Sequence, residues 1–383
     1  MPCGCEKGRD GVKKVAIISL YGDRNYGNKL QNYAVQQFFR SFGFDTVLAK
    51  TPYAYTKDIG GMCRRLAAAM LNYRKHLTRV VFGKTPAAPQ ELEKRERAFR
   101  DFTSKHIVET DAVVDKYNVK RRLDGYDYYV FGSDQVWNTM YVGADPLFYG
   151  GFCEPRRRLS MAASFGYTVD NNRYASKMAS LLRDMRLITV RENTAREYVK
   201  ALCGRESEVL LDPTLLIEER EWEAVEEPPS FALPARYVFT YFLGQVSPER
   251  RAHLEAFAAE RGCELISMND KRFEELYALG PAQFVYLIHH ATYVLTDSFH
   301  GTAFSVIFRK NVSVLKKAGS EDYMLDRLVT LLGTLKLSAC LTDDTSLTGE
   351  TVDYTAAEEV LSEERDKARR VFETVFREDG LCG

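Results

Sequence analysis

Residues 14–20, KVAIISL, begin the first folding unit that the sequence predicts. This short apolar run is rich in β-branched residues and is typical of a strand buried in a sheet. A loop is expected over 21–28, followed by a helix over 29–42, where apolar residues recur at helical spacing. A second strand is expected over 45–49. A strand, a loop, a helix and a further strand in this order predict a parallel α/β unit.

The same alternation continues along the chain. Further strands, most of them ending in small or polar residues, are predicted at 126–131, 159–163, 187–190, 209–211, 237–243, 264–268, 293–296 and 312–315. Helices are expected at 90–105, 193–202, 248–261, 281–291 and from the end of the 293–296 strand to 308. The acidic, proline-containing stretch 218–234 lies between two such series and is a candidate linker. The sequence therefore predicts an α/β protein with two Rossmann-like parallel-sheet domains.

The division that follows from this pattern has four parts. We expect a flexible tail over 1–12, an N-terminal domain over 13–217, a C-terminal domain over 218–350, and a helix with a tail over 351–383. Thr355 and Glu358 form a capping-box signature for the last helix. The apolar stripe of that helix predicts that it packs back across a domain.

Composition excludes several classes of protein. The 383 residues include 53 Lys+Arg and 53 Asp+Glu, and the isoelectric point is near 7.0. A balanced charge lacks the usual electrostatic signature of a general nucleic-acid binder. No apolar run of about 18 residues suggests a membrane span, and the first residues lack the apolar core of a secretory signal. We expect a cytoplasmic protein.

The eight cysteines are scattered, and no CxxC pair occurs among them. Because metal sites and disulfide frameworks have characteristic spacings, reduced thiols are the simplest interpretation. Cys3 and Cys5 are the exception, and their role stays open between a plain mobile tail, metal binding and oxidation.

The stretch 57–84 carries seven basic residues against the single acid Asp58. A basic helix of this kind can lie on an anionic membrane surface or hold an anionic substrate, but most such helices are simply solvated. A peripheral contact with the inner face of the membrane is therefore one hypothesis for this segment.

The segment 296–302, TDSFHGT, is the most informative for chemistry. A strand leads to His300 at the start of a helix, where free backbone N–H groups can bind an anion. An imidazole there can also transfer a proton near pH 7. The alternative is a histidine that only caps the helix. By contrast, His289 and His290 lie within a predicted helix, and we interpret both as structural.

Two further strand ends carry polar groups. Arg191 follows the strand 187–190 and can bind a carboxylate or phosphate through its guanidinium fork. Residues 132–138 combine hydroxyl, carboxylate and amide groups with a tryptophan, as a sugar-binding site would, although a turn with a helix cap at Ser133 or Asp134 explains them equally. The segment 26–32 contains no dinucleotide or Walker fingerprint.

Six short motifs occur in a fixed order along the chain: 25–28 (NYGN) with 30–32 (LQN), then 132–138, 164–166 (SFG), 190–192 (VRE), 212–214 (DPT) and 297–302. Together they resemble the polysaccharide pyruvyl transferase family over about residues 14–335. The resemblance implies a GT-B-like fold with the site in the cleft. It also implies transfer of pyruvate from phosphoenolpyruvate to a sugar, as a cyclic ketal.

The resemblance further implies roles for individual residues. Arg191 would hold the donor, His300 would be the catalytic acid and base, and Asp134 is the candidate for a second base or for acceptor binding. Substrate-binding residues are expected at Asn28, Gln31, Gly132, Ser133, Ser164, Phe165, Gly166, Asp212, Ser298, Gly301, Thr302, Lys316 and Lys317. The implied reaction requires no metal and no cofactor. Phosphoenolpyruvate is counted as its donor substrate. A glycan or lipid-linked glycan is the expected acceptor, and no nucleic acid is expected.

One position departs from the family pattern. Many relatives carry an arginine two residues before the histidine, and this chain has Ser298 there. Either Arg191 would then have to make more of the donor contacts, or Lys310, Lys316 or Lys317 would have to compensate. Two other hypotheses stay open: a GT-B glycosyltransferase that uses a nucleotide sugar, and a non-catalytic member of the family.

Overall fold

The computed structural model describes residues 12–22, 24–52, 89–166, 173–243, 246–268, 274–316, 323–343, 347 and 349–380. The basic stretch 57–84, Cys3, Cys5 and Lys317 lie outside these residues, so the expectations for them stay predictions.

The first sheet has six strands, all paired in parallel, in the order β2-β1-β3-β4-β5-β6. Its strands are β1 (Lys14–Ile18), β2 (Asp45–Leu48), β3 (Tyr128–Asp134), β4 (Arg158–Ala163), β5 (Thr189–Val190) and β6 (Glu208–Val209). All seven residues of β3 are buried, as expected for a central strand covered by helices on both faces. The order reverses direction next to β1, which is the topology of a doubly wound sheet.

The second sheet has five parallel strands in the order β11-β10-β9-β7-β8. Its strands are β7 (Tyr237–Tyr241), β8 (Glu264–Met268), β9 (Tyr293–Thr296), β10 (Asn311–Leu315) and β11 (Leu341–Thr342). The two sheets confirm the predicted fold class, two Rossmann-like domains in a GT-B-like arrangement. The prediction that the domains divide at residue 217 falls between the last strand of one sheet and the first strand of the other, and it stays a prediction.

Helices connect the strands. In the first domain they are α1 (Tyr26–Arg40), α2 (Pro89–His106), α3 (Val119–Arg122), α4 (Thr139–Val142), α5 (Ala175–Arg183), α6 (Asn193–Cys203) and α7 (Pro213–Leu216). They continue as α8 (Glu219–Glu223), α9 (Pro248–Glu260), α10 (Glu274–Tyr277), α11 (Pro281–His289), α12 (Phe299–Ile307), α13 (Tyr323–Thr334) and α14 (Thr355–Glu378). Single 3₁₀ turns lie at Pro146–Tyr149, Pro155–Arg157 and Ser338–Cys340. None of the described helices has the length and apolar character needed to cross a bilayer.

The start of α1 differs from the prediction. We expected a loop up to Asn28, but the helix begins at Tyr26 because the Asn25 side chain accepts a hydrogen bond from the Asn28 N–H. This cap satisfies one of the free donors of the first turn. The NYGN motif is therefore the N-cap and the first turn of a helix.

The start of α14 also differs in detail. The predicted capping box is wrong, because Thr355 is the first helical residue and Asp353 accepts hydrogen bonds from both the backbone N–H and the hydroxyl of Thr355. The prediction that this helix packs back is confirmed. Phe372 lies in edge-to-face contact with Phe38 and Phe39 of α1, at centroid distances of 5.5 and 5.2 Å.

Two elements at the end of the second domain, α13 and β11, were not predicted at all. Leu328, Leu331 and Leu332 of α13 are buried and join the large core that also includes α1, α12 and α14. That core runs through both domains, and it therefore holds the carboxyl ends of the two sheets next to each other.

Candidate active site

Polar side chains follow the strands of both sheets at their carboxyl ends. From the first sheet come Ser19 after β1, Ser133 and Asp134 in β3, Ser164 after β4, Arg191 after β5 and Asp212 after β6; from the second come Ser298 and His300 after β9. In open α/β sheets this edge is where ligands bind. The structure brings the two sets within contact distance, so the candidate site lies between the domains.

Asp212 lies at the centre of this group and is fully buried. One of its oxygens accepts a 2.7 Å hydrogen bond from Arg191 and a 3.2 Å bond from the Ser133 hydroxyl. The other accepts bonds from the backbone N–H and the hydroxyl of Thr214. His300 Nε2 lies 3.9 Å from this second oxygen. Asp212 therefore joins a residue of the second domain to the first.

Both members of the Arg191–Asp212 pair are ionised. Burial disfavours the carboxylate of Asp212, but a protonated His300, the Arg191 guanidinium and the Thr214 N–H each favour it, and the pKa of Asp212 lies below its usual value. When His300 is neutral, Arg191 and the Thr214 N–H supply this stabilisation. Burial likewise disfavours the charge on Arg191, yet the surrounding carboxylates raise the pKa of Arg191. Removing either partner would leave the other charge buried and uncompensated, so the two side chains depend on each other.

Arg191 has more than one acidic neighbour. Asp134 lies 3.3 Å from its second terminal nitrogen, and Glu192 lies 3.9 Å from Nε. The guanidinium also lies 4.5 Å from the centre of the Phe299 ring. Arg191, which we expected to hold the donor, is thus already surrounded by carboxylates.

His300 is the second residue of α12 and is 9% exposed. Ser298, expected to bind substrate, is the N-cap and accepts a 3.3 Å hydrogen bond from the Gly301 N–H. The alternative in which His300 caps the helix is therefore wrong. Within the described part of the chain, His300 Nε2 has no hydrogen-bond partner. Burial lowers the pKa of His300 despite the nearby Asp212, so the imidazole is neutral at pH 7 and can accept a proton.

The position of His300 depends on Gly27. A Cβ at Gly27 would lie 1.9 Å from His300 Nδ1, so no larger residue fits between α1 and α12. This contact between domains was not predicted. The NYGN motif drew attention to Gly27 as part of the ordered set, but it gave no indication of the contact with His300. That contact depends on how the two sheets pack together.

Gln31 and Asn28 support the site from α1. The Gln31 side chain accepts a 3.0 Å bond from the Ser133 N–H and donates a 3.1 Å bond to the Ser19 hydroxyl. Asn28 donates a 2.9 Å bond to the Leu20 carbonyl. Both residues were predicted to bind substrate, and in the structure they position the ends of β1 and β3. The buried Asn28 Oδ1 has no partner among the described residues.

The other predicted residues divide into two groups. The first group supports the backbone: Gly132 and Gly166 have positive φ angles of 123° and 73°, the Ser164 hydroxyl donates to Glu192, Gly301 lies against Thr296, and Thr302 donates to the Ser298 carbonyl. The second group lies apart from the network: Phe165 is a core residue that packs against Trp137, and Lys316 is exposed at the end of β10.

A cavity of about 170 Å³ adjoins the Arg191–Asp212 pair. Its walls come from both domains and include Phe299 of α12 and Arg327 of α13. Arg327 was missed by the sequence analysis. It lies in a helix that was not predicted, and an isolated arginine in an amphipathic segment gives no local signal of a binding role.

His289 and His290 lie at the end of α11, and we interpreted them as structural. Both pair with Glu226, at 3.0 and 3.3 Å, and His289 stacks on Phe308. These three side chains bring potential metal ligands within 4.8 Å of one another. The hydrogen bonds among them account for their arrangement.

Most of the chain matches the model of one known protein family. The family model described as polysaccharide pyruvyl transferase matches residues 25–316. The chain belongs to the polysaccharide pyruvyl transferase family. All the ordered motifs lie within the matched region, and so do His300, Arg191 and Asp212, whereas Arg327 lies beyond it.

Solved structures show more distant likeness. This chain is similar to MnaA from S. aureus in complex with UDP, at 10% identity over 97% of this chain and 98% of that chain, with a TM-score of 0.48. It is also similar to the glycosyltransferase SnogD from Streptomyces nogalater, at 13% identity, 97% and 100% coverage and a TM-score of 0.41. For UDP-N-acetylglucosamine 2-epimerase from Rickettsia bellii the values are 14%, 95%, 97% and 0.41. These likenesses indicate no chemistry for this chain. A search of curated proteins gives no match.

Proposed function

We propose that the protein transfers pyruvate from phosphoenolpyruvate to a sugar of a cell-surface polysaccharide or its precursor, forming a pyruvate ketal. The observation that supports this most directly is the meeting of His300 with the Arg191–Asp212 pair, at 3.9 Å, in a chain of the polysaccharide pyruvyl transferase family. A proton-transfer group and a buried cation then share one cleft, as the reaction requires.

The proposed chemistry uses a neutral His300. Its imidazole takes the proton from the first acceptor hydroxyl while that oxygen bonds to the central carbon of the donor, and the methylene carbon receives the proton. The carboxylate of Asp212 stabilises the imidazolium that forms between these transfers. The second hydroxyl then attacks the same carbon, the C–O bond to phosphate breaks, and phosphate leaves with the second proton. One ketal and one phosphate result from one donor and one diol.

Phosphoenolpyruvate carries about three negative charges, so donor binding needs cations and backbone donors. The site offers Arg191, and Arg327 lines the adjoining cavity. Asp134 contacts Arg191 and lies at the end of β3, where it can hold an acceptor hydroxyl.

The test is a reaction of the purified protein with phosphoenolpyruvate and a panel of galactosyl and mannosyl acceptors, with ketal and released phosphate measured together. A family enzyme of verified activity is the positive control. We expect His300→Gln to lower kcat by about 10² to 10⁴, the range for a lost acid–base group. His253→Gln, at an exposed histidine of α9, should leave the rate unchanged.

Two results would contradict the proposal. One is that the positive control forms ketal and releases phosphate while this protein does neither with any acceptor of the panel. The other is glycosyl transfer from a UDP or GDP sugar with no response to phosphoenolpyruvate, which would favour the nucleotide-sugar hypothesis. An active wild type inactivated by His300→Gln would reject the non-catalytic hypothesis.

A further inference from the structure

Arg327 is a buried arginine for which no ion pair is found among the residues that the structure describes. It lies on α13 and is only 8% exposed. Its Nε is buried without a hydrogen bond, and no described carboxylate lies within ion-pair distance of its side chain. Buried charges are normally paired, because an unpaired one has lost its hydration without compensation. Burial and the nearby Arg191 lower the pKa of Arg327, and the more distant Asp134 and Glu192 only partly oppose this.

Arg191 differs from Arg327 in this respect. Its two terminal nitrogens already contact Asp212 and Asp134, at 2.7 and 3.3 Å. An incoming anion must therefore compete with two fixed carboxylates to bind Arg191. Asp134 and Glu192 also act on Arg327, but no described carboxylate lies within ion-pair distance of its guanidinium, so an anion meets weaker competition there. Of the two arginines, Arg327 is therefore better suited to bind the anion directly.

Both arginines line the same cavity, together with Asn193, Arg196 and Lys367. Asn193 begins α6, and the N-cap residue Glu192 makes no side-chain cap bond to that helix. The first turn of α6 adds backbone donors and the positive end of a helix dipole to this wall. The acidic groups that line the cavity already have cationic neighbours, since Asp212 bonds Arg191 and Glu364 lies 3.4 Å from Lys367.

We propose that this cavity is an anion subsite in which Arg327 holds a phosphate-bearing ligand. If the proposed function is correct, on which this assignment of the ligand rests, the group held is the phosphoryl group of phosphoenolpyruvate. Arg191 then acts from the adjoining wall and keeps Asp212 in place. Arg327 also supplies the cation that Ser298 does not provide, because Ser298 caps α12.

The experiment measures the Kd of phosphoenolpyruvate and of inorganic phosphate by calorimetry, together with the ligand-induced change in melting temperature. The proteins are wild type, Arg327→Met and Arg327→Lys. Arg121→Met, at an exposed arginine of α3, is the control that removes the same charge elsewhere. Arg327→Lys keeps the charge, so it remains informative if the methionine variant is poorly folded.

We expect Arg327→Met to weaken binding of both anions at least about tenfold, the effect of losing a charge-assisted pair. Arg327→Lys should fall between that variant and wild type, because lysine lacks the fork. The control should match wild type. If wild type and Arg327→Met bind each anion with the same Kd, the inference is overturned and the proposed function is left intact.

Two other outcomes separate the inference from the function. Phosphate binding that depends on Arg327, without any binding of phosphoenolpyruvate, would support the anion subsite and contradict the proposed donor. Binding of neither anion by wild type would overturn both.

Discussion

His300, Asp212 and Arg191 come from three different strand ends, and burial determines the chemistry of each. Asp212 is completely buried, and its charge is kept by the cationic and N–H groups that face it. His300 is buried with fewer compensating contacts, and its pKa falls. At the scale of single residues, the site therefore combines an ionised pair with a neutral imidazole.

The lowered pKa of His300 has a consequence for stability. Because the unfolded chain binds a proton near pH 6.5 and the folded chain binds it only at lower pH, the unfolded state holds more protons in between. The free energy of unfolding should therefore fall as the pH drops below about 6.5, with a slope of up to about 1.4 kcal/mol per pH unit from this group.

The measurement is the urea midpoint from pH 7.5 to 5 for wild type, His300→Gln and His253→Gln. We expect the slope of stability against pH to be smaller in His300→Gln and unchanged in His253→Gln. Equal slopes in all three proteins would show that His300 is not buried in its neutral form.

The residues of the site were only partly predictable. The strand-end rule selected Asp212 and Arg191 at one edge of the first sheet and His300 at the same kind of edge in the second, because parallel strands end at one edge. It could not show that the two edges meet. It could not show that Asp212 binds Arg191, since that pairing depends on side-chain direction. Arg327 could not be found at all, because its burial results from packing between elements far apart in the sequence.

The elements of the fold were predicted well where apolar periodicity is strong. Strands β8 and β9 have the predicted bounds. In the mostly buried β9 a continuous apolar run marks the strand, whereas β8 lies at the sheet edge and is only partly buried. The first turn of α1 was missed since its cap, Asn25, lies in a segment of polar residues and glycine. That turn is functionally the most constrained part of the helix, because it lies against His300.

A prediction at the scale of elements concerns this contact. In Gly27→Ala the new Cβ would lie 1.9 Å from His300 Nδ1, so the imidazole or the helix must move. Misplacement of a catalytic group by about 1 Å lowers rates about a hundredfold. We expect kcat to fall by that order while the protein stays folded.

Gly333→Ala is the matched control. Gly333 lies in α13, and a Cβ added there would meet no heavy atom of another described element within 4 Å, so alanine fits. Alanine in a helix is favoured over glycine by about 1 kcal/mol, and the melting temperature should hold or rise. Normal kcat in Gly27→Ala would show that the α1–α12 contact does not position His300.

At the scale of the whole molecule, α14 joins the end of the chain to its beginning. Phe372 and Phe376 pack on α1, and Phe376 also contacts Phe44 and Tyr128 of the first sheet region. Arg365 donates hydrogen bonds to the carbonyls of Leu215 and Ile217, between the last strand of the first sheet and the first strand of the second. The second half of the last helix therefore packs in the core beside the first sheet.

Replacing the large Phe372 side chain by a small one should destabilise the first domain. Phe372 is fully buried, and Phe372→Ala should lower the free energy of unfolding by about 3–5 kcal/mol. Hydrogen exchange should rise in β1 and β3 more than in β7 and β9. The control Glu363→Ala, at an exposed position of the same helix, should leave both measurements unchanged. Exchange that rises only in the second sheet would contradict this assignment.

The position of α14 also affects biosynthesis. A ribosome makes the residues of the first sheet early, yet Phe372 and Phe376, which complete their core, are translated only after both sheets. The nascent N-terminal half therefore keeps part of its apolar surface uncovered until α14 has left the exit tunnel. We expect chaperone binding to this half to persist until α14 has emerged and to end soon afterwards.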